Sequence, residues 1–143
     1  MAYCSRQDLV DRIGEDLLKD LTDRESTGAI NEERATQAME DASAEIDSYA
    51  QERYTVPLSP VTRMVQSVAV DIAIYRLFLG RGYDAASADG AWAAQYRNAV
   101  AWLKSLAKGE AAIGAASPAE QGGQPSAVIA PDRVFDRETM KGF

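Results

Sequence analysis

Oxygen-bearing side chains recur with the spacing of a calcium loop between Asp23 and Arg34, in the run DRESTGAINEER. Counting Asp23 as position 1, ligand oxygens fall at positions 1, 3, 5 and 9 (Asp23, Glu25, Thr27 and Asn31), with Gly28 at 6 and Ile30 at 8. That is the skeleton of an EF-hand loop, whose last position supplies two carboxylate oxygens. Here that position holds Arg34, which removes the largest ligand and adds a repelling charge. The expected structure is therefore a tight turn, with Gly28 in a left-handed conformation and Asn31 capping the next helix. Two carboxylate pairs, Glu40/Asp41 and Glu45/Asp47, have the residue types for metal or glycosidase chemistry, but on a surface helix they form a solvated acidic face. Cys4 has no basic neighbour to activate it and is expected to be inert. Trp92, Tyr96 and Trp102 have the composition of a base-stacking platform; Trp92 and Tyr96 lie one turn apart, as core residues do, and Trp102 stands off that stripe as the contact candidate. The pair Asp71 and Arg76 lies in an apolar stretch, where the expectation is an inter-helix ion pair.

Composition narrows the chemistry further. The 143 residues include no histidine and one cysteine, which excludes Ser-His-Asp and Cys-His catalysis, zinc fingers and an internal disulfide. Fifteen Lys and Arg against 22 Asp and Glu give a net charge of −7, the wrong sign for gripping phosphate backbones. No convergent polar cluster remains, so neither an enzymatic activity nor a cofactor is expected. No run approaches the length of a membrane span, and the polar start (Ser5, Arg6, Gln7, Asp8) lacks the apolar stretch of a signal peptide. The sequence reads as a soluble cytoplasmic product. Charge is also uneven: residues 1–60 carry 14 acids and 6 bases, residues 61–143 carry 8 and 9.

The elements that position these residues follow from periodicity. Ser5 and Asp8 form a capping box, with Leu9, Val10 and Ile13 on one helical face. Gly14 ends or kinks that piece, and Leu17, Leu18 and Leu21 continue a second. After the turn, Asn31 opens a long helix to about Arg53, striped by Ala35, Ala38, Met39, Ala42, Ile46, Tyr49, Ala50 and Tyr54. Ser59 as cap and Pro60 at the first helical position open a third helix to about Leu79. Met64, Val65, Val68, Ala69, Ile72, Ala73, Phe78 and Leu79 make it the expected central core helix. Gly80, Gly82 and Gly90 mark a loop, and a further helix runs from about Ala91 to Lys108, ended by Gly109. The expected fold is all-α, a small bundle of about four to five helices over residues 1–113.

Residues 114–127 (GAASPAEQGGQPSA, including Gly122 and Gly123) cannot bury enough surface to order themselves and read as a linker. It spans roughly 20 Å as a coil and up to about 45 Å extended. Beyond it, residues 128–143 regain large apolar side chains: Val128, Ile129, Val134, Phe135, Met140 and Phe143. They have the pattern of a docking tail able to add a strand to a partner's sheet edge.

Five stretches in order resemble the head-tail connector (head completion, or adaptor) proteins of Mu-like tailed phages and prophages. They are Ser5-Arg-Gln-Asp-Leu-Val; Leu21-Thr-Asp-Arg with Thr27-Gly-Ala-Ile; and Ala44-Glu-Ile-Asp-Ser-Tyr with Arg53-Tyr and Pro57-Leu. Asp71-Ile-Ala-Ile-Tyr-Arg-Leu and the terminal Arg133-Val-Phe-Asp-Arg-Glu-Thr-Met-Lys-Gly-Phe complete the set. The resemblance implies a virion structural protein, made in the host cytoplasm and placed in the neck. It implies a homo-oligomeric ring of about twelve copies under the portal protein. That ring would extend the DNA channel and receive a tail-completion or tail-terminator protein. It implies no membrane and no catalytic residues. Such a ring would carry on the order of 80 negative charges, repelling the DNA that slides through it. Glu40, Asp41, Glu45 and Asp47 are the candidate channel-facing acids, and the apolar tail residues are the candidate portal or neighbour contacts. The alternative is a small acidic helical binding protein that sequesters a host or regulatory partner.

Overall fold

A computed structural model describes residues 2–82 and 90–114. The linker beyond Gly114, the tail 128–143 and most of the Gly80–Gly90 loop lie outside the described residues. Within them the chain forms five helices and no strand: α1 (Arg6–Ile13), α2 (Glu15–Thr22), α3 (Glu32–Ala50), α4 (Arg63–Arg81) and α5 (Gly90–Lys108).

Local chemistry sets the helix ends. The Ser5 hydroxyl accepts from the Asp8 amide while the Asp8 carboxylate accepts from the Ser5 amide at 2.7 Å, closing the capping box. Gly14 then takes φ +84°, which a side chain resists, and its amide closes α1 onto Val10. The turn before α3 winds around Asp23, whose two carboxylate oxygens accept from the amides of Thr27 (2.8 Å) and Gly28 (2.7 Å). Asn31 caps α3 by accepting from the Arg34 amide at 3.0 Å.

α4 is the central helix. It packs most extensively on α3, next on α5, and also on α1 and α2. Accordingly it is buried almost all round, through Val65, Val68, Ala69, Val70, Ile72, Ala73, Ile74, Leu77 and Phe78. The small residues Ala35, Ala38, Ala42 and Ala50 on α3 let the helices approach closely.

Two expectations about α4 need correction. The helix starts at Arg63 with Thr62 as its cap, not at Ser59-Pro60. Leu58, 1% exposed, is drawn into the core and its amide donates to the Tyr3 hydroxyl, so the chain must turn once more before α4 begins. Met64 and Leu79, counted in the core stripe, are 48% and 53% exposed because they sit at the two ends of the helix.

Buried polar groups fix the corners. Thr22 donates to the Leu18 carbonyl (2.9 Å) and accepts from the Asn31 amide (3.1 Å). Ser43 donates to the Met39 carbonyl (2.9 Å) and accepts from the Tyr3 amide (2.8 Å), which pins the N-terminus to α3.

Candidate functional site

Successive residues of a helix are set about 100° apart, so α3 splits its four candidate acids into two stripes: Glu40 with Asp47, and Asp41 with Glu45. Glu40 is exposed. Asp41 is half-buried and accepts from Gln37 at 2.8 Å. Glu45, with its side chain 14% exposed, accepts from Arg76 of α4 at 2.7 Å and from the Tyr96 hydroxyl of α5 at 2.8 Å. Asp47 accepts from the Tyr3 hydroxyl, which in turn receives the Leu58 amide at 2.8 Å. The structure therefore does not gather the four carboxylates. Two of them tie α3 to its neighbours, and Glu40 and Asp41 remain toward solvent.

The loop that carries calcium-like spacing closes on its arginine. The Arg34 guanidinium bridges Glu25 (2.7 and 2.5 Å) and the Thr22 carbonyl (2.9 Å). Asp23 is held below the usual carboxylate range by the Thr27 and Gly28 amides. Position 12, read from sequence as a defect, is the clamp of a structural turn. Among the described residues, no three acidic or thiol side chains are grouped to hold a metal ion.

Asp71 and Arg76 both make inter-helix ion pairs, with Arg12 and Glu45 respectively. Arg12 also donates to the Ser67 hydroxyl at 3.1 Å. Arg12 and Ser67 line a cleft of about 380 Å³ between α1 and α4, together with Asp8, Asp11, Arg63 and Gln66. Burial pushes the Asp71 carboxyl up although the Arg12 guanidinium pulls the other way. The ion pair is thus a positional tie between α1 and α4. The aromatic residues are turned inward as well. Tyr96 stacks on Tyr75 with ring centres 4.2 Å apart, Trp92 lies 5.9 Å from Phe78, and Trp102 is half-buried against the core.

Cys4 is 7% exposed, and burial pushes its thiol from the ordinary 9.0 up to about 12. Burial first and a carboxylate partner second push the Tyr3 and Tyr96 hydroxyls from 10.0 to about 12. Above pH 9 the unfolded thiol loses a proton that the folded thiol keeps, and above pH 10 the two tyrosines do the same. The unfolded state gains, so stability falls as pH rises from 9 toward 12. Urea melts at pH 8, 9.5 and 10.5 are expected to show midpoints falling in that order. Native Cys4 should resist alkylation at pH 8 and label fully once unfolded.

The sequence model of the family described as "Bacteriophage Mu, Gp36" matches residues 3–130. The chain is also similar to the "Mu-like prophage FluMu protein gp36" of Haemophilus influenzae. The two are 28% identical over 143 residues, covering 99% of this chain and 97% of that protein.

Proposed function

The chain belongs to the bacteriophage Mu Gp36 family, and from that premise we propose that it is a non-enzymatic head-tail connector of a tailed phage. In this reading it forms a ring in the virion neck, under the portal protein, that extends the DNA channel and receives the tail-completion or tail-terminator protein. The observation that carries the proposal is the family match across residues 3–130, together with the five ordered stretches that resemble connector proteins. The side-chain chemistry is consistent with it. The candidate groups with reactive potential are spent on holding the fold together: Glu45 on Arg76 and Tyr96, Asp47 on Tyr3, Asp71 on Arg12.

A channel wall has to let DNA slide, and the net charge of −7 per copy suits that task because it offers no counterion-release binding. No described helix is long and apolar enough to cross a membrane. The tail 128–143 is proposed as the docking segment for the portal or a neighbouring copy, reached through the linker.

Loss of the gene in the phage tests the reading. The expected lysate contains heads and finished tails that do not join, and supplying the protein in trans restores infectious particles. Normal virions without it would overturn the proposal. Deleting residues 128–143 is expected to abolish joining while leaving the melting temperature of the body unchanged; a lowered melting temperature would mean that the tail folds back on its own bundle.

A further inference from the structure

We infer that the outward faces of α3 and α5 dock on each other between copies of this chain, acid against base and head to tail. On α5, Arg97, Ala101, Lys104 and Lys108 are all exposed, and their spacing of four, three and four places them in one stripe. The helix contains no acidic residue. On α3, Glu33, Gln37, Glu40 and Ala44 repeat the same spacing and are also exposed. Each stripe is about 16 Å long, at 1.5 Å per residue.

Among the described residues, these charges take no part in the chain's own pairing. Ion pairs among the described residues use Arg6, Arg12, Lys19, Arg34, Arg76 and Arg81 against Glu32, Asp71, Asp16, Glu25, Glu45 and Asp20. Glu33, Glu40, Arg97, Lys104 and Lys108 form no ion pair and no side-chain hydrogen bond among those residues. The core-facing sides of α3 and α5 meet α4 and each other, so the two stripes lie on neighbouring helices of one body.

Symmetry then selects the arrangement. A two-fold dimer through either face would set acid on acid or base on base, which is repelled. Opposite charges meet only when α3 of one copy faces α5 of the next. Where a pair leaves one acidic and one basic face unused, the contact goes on to a third copy and closes into a ring or continues as a filament. A single helix pair is smaller than the roughly 1,200 Å² of a stable complex, so each contact is weak and strongly salt-dependent. This arrangement turns Glu40 toward the neighbouring copy and leaves Asp41, about a quarter-turn round α3, as the acid available to a channel. The charge pattern alone supports this contact, independent of the connector reading.

Sedimentation velocity of the full chain tests it, in about 0.02 M and about 0.5 M salt. Association is expected in low salt and is lost in high salt. An Arg97→Glu, Lys104→Glu, Lys108→Glu variant and a Glu33→Lys, Glu40→Lys variant should each associate at least about a hundredfold more weakly than the natural chain. Mixed in equal amounts, the two should recover association, because each then presents what the other lacks. Circular dichroism checks that both fold; if one does not, the neutral pair Lys104→Gln and Glu40→Gln replaces it, with a smaller salt dependence expected. A natural chain that stays monomeric in low salt would overturn the inference, as would association that survives both reversals or a mixture that stays monomeric. A monomer would leave the head-tail joining test untouched, since that test reads virion assembly.

Discussion

Replacing Ile72 by alanine is expected to lower the stability of the body by about 3–4 kcal/mol. Ile72 is fully buried in the middle of α4, the helix that packs on all four others. Truncation removes apolar contact and leaves a cavity that a rigid ring of neighbouring helices cannot close, so both the transfer loss and the cavity term apply. Ile72→Val should cost only about 1 kcal/mol, since one methylene is removed. Chemical denaturation read by tryptophan fluorescence measures both. Equal effects of the two variants, or a loss below about 1 kcal/mol for the alanine, would mean that α4 is not the core of the body.

Glu45→Ala should have the second-largest effect, a loss of about 2–4 kcal/mol. The carboxylate receives Arg76 at 2.7 Å and the Tyr96 hydroxyl at 2.8 Å, so α3, α4 and α5 meet at one side chain. Removing it strands a guanidinium and a hydroxyl in a region where neither regains full hydration. The partial exposure of Arg76, 39% of its side chain, sets the value below that of a fully buried pair. Glu45→Gln separates charge from hydrogen bonding: the amide still accepts from Tyr96, so the loss should fall to about 1–2 kcal/mol. The Tyr96 hydroxyl, pushed up to about 12 by burial first and by Glu45 second, should then titrate closer to 10. Tyrosinate absorbance against pH reads that shift, and an unmoved titration would remove Glu45 from the cluster.

The starts of α1 and α3 and the break at Gly14 were legible because their chemistry is local. Ser5 with Asp8, Gly14, and Asn31 all act within a few residues of themselves, so a linear reading finds them. Partners far along the chain were not legible. Tyr3 joins Ser43, Asp47 and Leu58 across 40 to 55 residues, and no local pattern announces such a junction. Asp71 and Arg76 are a similar case. Five residues apart, they lie roughly 140° apart on the helix, so each reaches a different neighbour. The acidic face of α3 was read as one surface, yet helix geometry divides it, and Tyr3, α4 and α5 consume half of it. The start of α4 was misplaced because Ser59-Pro60 and Thr62 both carry cap chemistry, and only the burial of Leu58 decides between them. Arg34 was legible as a break in a calcium pattern. Its role as the clamp on Glu25 required the fold of the loop.

The central claim, that this family member joins phage head to tail as a ring, is tested most directly by mixing the purified chain with the portal ring from the same genome. Native mass spectrometry then weighs the product. A gain of about twelve copies per portal is expected, with the body folded as before. A portal whose mass does not change, beside a folded chain that stays monomeric or dimeric, would contradict it and favour an acidic binding module with a host partner.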